Sequence, residues 1–214
     1  MKKNVVMLVL FLWSTVSAFA QTDPAAKKLL DQVSKKYDAY NTIQANFNFA
    51  ATQAEEETYA DKGTLYLNKP KNQYRILLNT QELVSDGKAT YSILKEDKEV
   101  QITTAEDHAS SIGPNNLFTF YKKGFKYVTA DDERAGAALL NVVELTPLDS
   151  KNNYFKIKLR INKNKHIHDV LIFDKSGARY TYTIQTLYVN NPIAASNFVF
   201  NKANYPTYEI VDLR

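Results

Sequence analysis

Near the start of the chain, apolar residues recur every three or four positions, which is the spacing of one face of a helix. Asp23 can cap such a helix, and Pro24 suits its first turn. An amphipathic helix could also lie on a membrane surface, but this apolar face is ordinary for a helix in a protein core. We therefore predict a helix that packs on the following sheet. Its apolar stripe consists of Ala26, Leu29, Leu30, Val33, Tyr37 and Tyr40.

From residue 44 onward the apolar residues alternate with polar ones, as they do in strands with one buried face. Ser85-Asp86-Gly87-Lys88 predicts a tight turn between two such strands. Asp174-Lys175-Ser176-Gly177 predicts a second hairpin. The clearest alternation sets Phe155, Ile157, Leu159 and Ile161 against Lys156, Lys158, Arg160 and Asn162.

The alternation stops between residues 111 and 124. Ser111 to Asn116 is typical of a loop, Leu117 to Tyr121 predicts a short apolar helix, and Gly124 marks its end. With no linker or repeat, the order of elements predicts a single α+β domain, a strongly curved antiparallel sheet with helices against one side. A closed barrel would remove the edge strands, whereas an open one would leave a cleft, and the pattern is consistent with both.

The first twenty residues predict a signal peptide, so we assign residues 1–20 to the signal and 21–214 to the mature domain. Lys2 and Lys3 precede an apolar run too short to span a bilayer comfortably, and Ala18-Phe19-Ala20 fits a cleavage site. The alternative is a retained membrane anchor. Cleavage after Ala20 predicts an exported, periplasmic protein.

Composition removes several classes of function. The chain has no cysteine, which excludes a disulfide, a cysteine–zinc site, a thiol nucleophile and a lipid attached to cysteine. Loss of Lys2 and Lys3 lowers the formal net charge from +4 to +2, and no basic cluster indicates a nucleic-acid partner.

Enzyme motifs are also missing from the sequence. It contains no nucleophile elbow, phosphate-binding loop or zinc-protease motif, so we expect a protein that is not an enzyme and needs no cofactor. His166 and His168 could share a face of a strand, but no third metal ligand is evident and we predict no metal site. Glu55-Glu56-Glu57 is typical of a solvated loop, with calcium binding as the alternative.

Several segments are similar, in order and spacing, to those of the LolA family of periplasmic lipoprotein carriers, in the divergent form of Bacteroidetes-like bacteria. The similarity runs over most of the mature chain. The segments that carry it are Leu29-Leu30 with Val33, Thr42-Ile43-Gln44-Ala45-Asn46-Phe47, Gly63-Thr64-Leu65-Tyr66-Leu67-Asn68-Lys69-Pro70, Leu83-Val84-Ser85-Asp86-Gly87-Lys88, Glu144-Leu145-Thr146-Pro147, Ile167-His168 and Asn197-Phe198-Val199-Phe200.

This resemblance implies an incomplete antiparallel β-barrel whose helices form a lid over an apolar cavity. It also implies that the protein, as a monomer, takes acylated lipoproteins from an ATP-driven releasing complex of the inner membrane. An outer-membrane receptor would then accept them. The alternatives are a LolA-like binder of another lipid and an envelope-stress sensor of lipoproteins. A lipid-modifying enzyme is a third possibility, but no nucleophile has a base beside it.

The resemblance also indicates a site. The family has an arginine before the proline of its Gly-x-Leu segment, where it holds the lid closed, and the matching residue here is Lys69. Lys69 would then point inward with Leu65 and Leu67; the alternative is an exposed lysine at a strand end. We expect Leu65→Glu or Leu67→Glu to lower affinity for an acyl ligand without unfolding the protein. The candidate cavity residues are Phe47, Phe49, Leu65, Leu67, Tyr74, Ile76 and Tyr91, and the candidate lid residues are Lys69, Leu117, Phe118, Phe120 and Tyr121.

Overall fold

The computed structural model describes residues 23–53, 56–105 and 112–214. The predicted signal peptide, its cleavage site, Glu55 and Ser111 lie outside the described residues. Among those described, no helix is both long and apolar enough to cross a membrane.

One α-helix and twelve strands make up the described regular structure, together with short 3₁₀ turns. The helix is α1 (Pro24–Asp38). The strands are β1 (Thr42–Gln53), β2 (Glu56–Asn68), β3 (Gln73–Leu77), β4 (Gln81–Ser85), β5 (Ala89–Leu94), β6 (Glu99–Thr104), β7 (Phe125–Ala135), β8 (Ala138–Pro147), β9 (Tyr154–Ile161), β10 (Ile167–Asp174), β11 (Arg179–Val189) and β12 (Glu209–Asp212).

All twelve strands belong to one sheet in the order β12-β6-β5-β4-β3-β2-β1-β11-β10-β9-β8-β7. Neighbouring strands are antiparallel except β12, which runs parallel to β6. Within the described chain, β12 and β7 end the order without pairing to each other, so the sheet is not closed. Of the two architectures that the pattern allowed, the open one is present.

The N-terminal helix forms as its sequence predicts. The carboxylate of Asp23 accepts a hydrogen bond from the Ala25 amide at 2.8 Å, and Pro24 is the first helical residue. The apolar stripe, including Leu30 and Tyr37, is buried against one face of the sheet, which we call the inner face. This packing confirms the helix and makes α1 part of the main core.

A smaller apolar cluster lies on the opposite, outer face. Val84 stands opposite Arg75 in the pairing of β3 and β4, so it faces away from the inner-face residues Tyr74 and Ile76. The C-terminal segment covers this cluster with Phe200, Tyr205, Tyr208 and strand β12. We call it the outer cluster; its buried residues are Val84, Ile93 and Val100.

One predicted inward residue points outward. In the pairing of β9 and β10, Phe173 stands opposite Lys156 but Asp174 stands opposite Tyr154, so Phe155 is an extra residue in a β-bulge. The bulge inverts the alternation there, which leaves Phe155 52% exposed and packs Tyr154 on the core. The prediction that Phe155 shares the apolar face is therefore wrong, while Ile157, Leu159 and Ile161 are buried as predicted.

The predicted turns are present, but the second predicted helix is replaced by turns that end in a short 3₁₀ helix. The carboxylate of Asp86 accepts hydrogen bonds from the amides of Lys88 and Ala89, both at 2.8 Å, and Gly87 has φ +92°. The segment 114–119 consists of turns, and only Phe120–Lys122 forms a 3₁₀ helix. A helix over residues 117–121 is therefore a wrong prediction, since the segment folds as successive turns.

Candidate functional site

A glycine in β2 makes room for an aromatic ring at the centre of the inner face. Gly63 stands opposite Phe47 in the pairing of β1 and β2. A Cβ atom at residue 63 would lie 2.3 Å from Cζ of Phe47, so any side chain there would displace the ring. Because Gly63 has no side chain, the ring of Phe47 has room to lie against β2.

Beyond Phe47 the inner face contains a cavity of about 320 Å³, which we call the apolar cavity. Four predicted cavity residues line it: Phe47, Phe49, Tyr74 and Ile76. Residues 113–115, which follow a gap in the described chain, border it on one side. The remaining lining residues are Tyr59, Leu78, Gln81, Leu83 and Tyr182.

A group of aromatic rings separates the apolar cavity from a second one. The rings of Phe49 and Tyr182 lie 4.8 Å apart, and Tyr180 stacks on Phe49 at 6.3 Å. The second cavity has a volume of about 530 Å³, and its lining includes Phe49, Tyr180, Tyr182 and Ile112. Burial raises the pKa of Tyr182 to about 12, so its hydroxyl stays neutral at physiological pH.

Sequence reasoning missed Tyr180 and Tyr182, although their alternation along β11 carries the signal. Tyr180, Tyr182 and Ile184 occupy every second position opposite the inner-face residues of β1. The pairing then shifts between Ile184 and Thr186, and Leu187 returns to the inner face. Period two therefore places the two tyrosines beside Phe49.

The inner face is filled at the other end by α1 and the predicted lid residues. The ring of Phe118 stacks on Tyr37 at 4.6 Å, and the Tyr37 hydroxyl accepts a hydrogen bond from the Ile167 amide at 3.1 Å. Leu117, Phe118 and Tyr121 are almost fully buried, and Phe120 packs beside them. These residues lie in the core against the helix.

Lys69 points inward and contacts the end of α1. Its ammonium donates to the carbonyl oxygens of Tyr37 at 2.6 Å and Asp38 at 3.3 Å. Burial lowers the pKa of Lys69; Asp38 opposes this effect and Lys122 adds to it. Of the two positions considered for Lys69, the structure thus has the inward one, at the carbonyl end of the helix.

Around Lys69 lies a third cavity of about 530 Å³, which we call the polar cavity. Its lining is mixed, with apolar residues such as Ile43, Leu67 and Phe118 beside the lysines, and it shares Tyr74 and Asn115 with the apolar cavity. The ammonium of Lys122 lies 2.5 Å from the carboxylate of Asp38, so a second lysine holds the same helix end. The other polar lining residues are Asn68, Asn72, Gln73, Ser85, Asn116, Thr119 and Lys123.

Two candidate cavity residues line none of these three cavities. Leu65 is fully buried in the core, where a carboxylate would unfold the protein before it tested ligand binding. Tyr91 belongs to the outer cluster, where its ring stacks on Phe200 at 4.8 Å, because Thr90 is the residue of β5 that faces Tyr74. The prediction that Tyr91 points inward is therefore wrong, because the inward position of β5 is the neighbouring residue, Thr90.

The two histidines have different partners. Nε2 of His166 lies 2.8 Å from the Tyr40 hydroxyl, whereas Nδ1 of His168 lies 2.7 Å from the carboxylate of Asp169. In the described part of the chain, no group of three or more histidine, aspartate or glutamate side chains could hold a metal ion.

Comparison with known proteins gives a family match and distant structural matches. The family model described as outer membrane lipoprotein carrier protein LolA matches residues 38–201. No curated protein sequence matches this chain.

Three solved structures show the extent of the structural similarity. An uncharacterized conserved protein from Thermus thermophilus superposes with a TM-score of 0.58 at 12% identity, covering 88% of this chain and 99% of that one. LprF from Mycobacterium bovis gives 0.50 at 11% identity, covering 81% and 97%. A LolA superfamily protein from Nitrosomonas europaea gives 0.44 at 10% identity, covering 82% and 97%. The first two matches show a shared fold.

Proposed function

Because the chain belongs to the LolA family, we propose that it is a periplasmic carrier that binds the acyl chains of lipoproteins released from the inner membrane and delivers them to the outer membrane. The observation that carries this proposal is the apolar cavity on the inner face of an open sheet. An ATP-driven releasing complex would supply the lipoprotein, and an outer-membrane receptor would accept it. The domain of residues 21–214 would act as a monomer.

The size and lining of the cavities suit an apolar ligand. Sites for small ligands typically enclose about 300–1,000 Å³ and are mostly apolar. The apolar cavity is about 320 Å³, and Phe49 and Tyr182 line both it and a neighbouring cavity of about 530 Å³. Each buried CH₂ contributes about 0.8 kcal/mol, so a long acyl chain cannot cross water quickly unless a protein shields it.

The ligand would enter by moving the elements that close the cavity. Segment 113–115 borders the apolar cavity, and the residues after it pack against α1. Lys69 and Lys122 hold the carbonyl end of α1 through Tyr37 and Asp38. Opening would break these polar contacts and the packing of Phe118 on Tyr37, and it would leave the strand pairing intact.

The direct test is to incubate the purified protein with spheroplasts and measure released lipoproteins, together with binding of a fluorescent diacylated peptide. Phe49→Glu places a charge between the apolar cavity and its neighbour of about 530 Å³, so we expect peptide affinity to fall at least about tenfold. Phe155→Glu is the matched control, because Phe155 is a strand phenylalanine that is 52% exposed.

If the wild-type protein releases no lipoprotein and binds no diacylated peptide, the carrier function is refuted. If Phe49→Glu and Phe155→Glu bind the diacylated peptide with equal affinity, and circular dichroism shows that both are folded, the binding site lies elsewhere. Mass spectrometry of the co-purified ligand separates the alternatives, because free lipid without lipoprotein would indicate a carrier of another lipid.

A further inference from the structure

The charged residues that line the polar cavity are all lysines. Lys69, Lys122 and Lys123 line it, and none of its described lining residues is acidic. The carboxylate of Asp38 lies just outside this lining and pairs with Lys122. Burial lowers the pKa of Lys69 most, while the nearby Asp38 opposes this effect and Lys122 adds to it. A ligand that carries negative charge would be attracted to the three lysines of the cavity.

The polar cavity adjoins the apolar one. Tyr74 and Asn115 line both, so a single amphiphilic ligand can reach both. If the acyl chains lie beside Ile76, the part of the ligand next to those chains lies within reach of the lysines. The charged group must therefore be covalently close to the acyl chains.

Five of the other lining residues carry side-chain amides, namely Asn68, Asn72, Gln73, Asn115 and Asn116. Asn68, Asn72 and Asn115 each carry both donors and an acceptor. A phosphate group has only acceptors in its ionised form, so it would leave the amide oxygens unused. A polypeptide has alternating N–H and C=O groups and matches amides in both roles.

We propose that the polar cavity binds the polypeptide that directly follows the acylated residue of a lipoprotein, and that it selects acidic side chains there. This proposal rests on the carrier function and adds a charge preference to it. Lys122 and Lys123 would act as exposed point charges, so the preference is moderate and depends on salt.

The test compares three synthetic diacylated peptides that differ only in the two residues after the acylated cysteine, namely Glu-Glu, Gln-Gln and Lys-Lys. We expect the Glu-Glu peptide to bind about fivefold more tightly than the Gln-Gln peptide. The Lys-Lys peptide should bind most weakly. The ratio should shrink in about 0.5 M NaCl, because salt screens exposed charges.

A charge reversal identifies the cavity that is responsible. Lys123→Glu should abolish or reverse the preference, because Lys123 is an exposed lining residue and the hydrogen bonds that hold α1 come from Lys69 and Lys122 instead. Lys163→Glu is the matched control, since it changes an equally exposed lysine in the turn between β9 and β10. The control should keep the wild-type preference.

Equal binding of the three peptides overturns the charge preference and leaves the carrier function standing. Binding of none of them refutes the carrier function itself. Extraction of phosphatidylglycerol in preference to phosphatidylcholine from vesicles, with equal binding of the peptides, would assign the lysines to a lipid headgroup and overturn the proposal.

Discussion

The two ends of the inner face differ in how they are filled. At one end Tyr37, Phe118 and Tyr121 pack between the sheet and the helix and are almost fully buried. At the other end Phe49 and Tyr182 lie between cavities of about 320 and 530 Å³. Both ends are built from the same residue types, so composition does not distinguish them.

The difference arises from where the helical segments lie. α1 and the turns that end in Phe120–Lys122 cover the first end, and their aromatic rings fill it. The second end is bordered instead by segment 112–115 and, at the larger cavity, by Asp149 and residues 151–153 of the loop between β8 and β9. The filled end therefore supplies stability, and the open end is available for a ligand.

The largest effect should come from emptying the filled end. Phe118→Ala removes a ring that is 2% exposed and stacked on Tyr37, so the free energy of unfolding should fall by about 3–5 kcal/mol. Urea unfolding followed by circular dichroism measures this. Phe155→Ala is the control and should change it by less than about 0.5 kcal/mol. A small loss for Phe118→Ala would show that this end is not packed as described.

A smaller effect should follow from a side chain at Gly63, on the border between the ends. In Gly63→Val the new atoms would displace the ring of Phe47, so overpacking should lower the free energy of unfolding by about 1–3 kcal/mol. The displaced ring should also weaken binding of a diacylated peptide. In a Phe47→Ala background the same valine should cost less stability, because no ring is left for it to displace. An unchanged cost in that background would show that the ring is not what the valine meets.

The contact between Lys69 and α1 should contribute less. Lys69→Leu removes the donor to the Tyr37 and Asp38 carbonyls, and we expect a loss of about 1 kcal/mol in the free energy of unfolding. Hydrogen exchange should quicken at the last turn of α1. Lys69→Arg should retain both properties, because its planar group can donate to both carbonyls. If Lys69→Leu releases lipoproteins as well as the wild-type protein does, the contact between Lys69 and α1 does not control opening of the cavity.

The smallest effect should come from His166, which lies just before β10 and contacts Tyr40, just after α1. Burial, and then the nearby Lys36, lower the pKa of His166 from its ordinary value of 6.5. The unfolded chain therefore binds the proton more readily, and stability should fall as the pH drops from 6.5 towards the lowered pKa. His166→Gln should flatten this part of the pH profile. An unchanged slope would mean that another group titrates.

The positions of residues inside regular helices, strands and turns could be predicted from the sequence. The positions of residues next to a break in the apolar–polar alternation could not. The cap at Asp23, the stripe of α1 and the turn at Asp86-Gly87 follow from local chemistry and are present. Phe47, Tyr74 and Ile76 line one cavity on the inner face, where alternation and family resemblance place them. These positions depend on one period continuing without interruption.

The errors have the same physical origin. The bulge at Phe155 depends on the partner strand, and the outward position of Tyr91 depends on which residue of β5 faces Tyr74. Neither can be read from one strand alone. The parallel pairing of β12 with β6 is likewise a contact between distant segments, and no local pattern indicated it.

That parallel pairing also determines when the domain can become complete. β6 ends at residue 104, but its partner β12 begins at Glu209, after all the other strands. Until β12 docks, β6 is an unpaired edge and the aromatic cover of Val84, Ile93 and Val100 is not in place. Contacts between such distant segments form slowly, because a long loop must close first. A folding chain would therefore pass through a state in which the edge of β6 is unpaired and prone to aggregation. It would need protection from aggregation until β12 had docked.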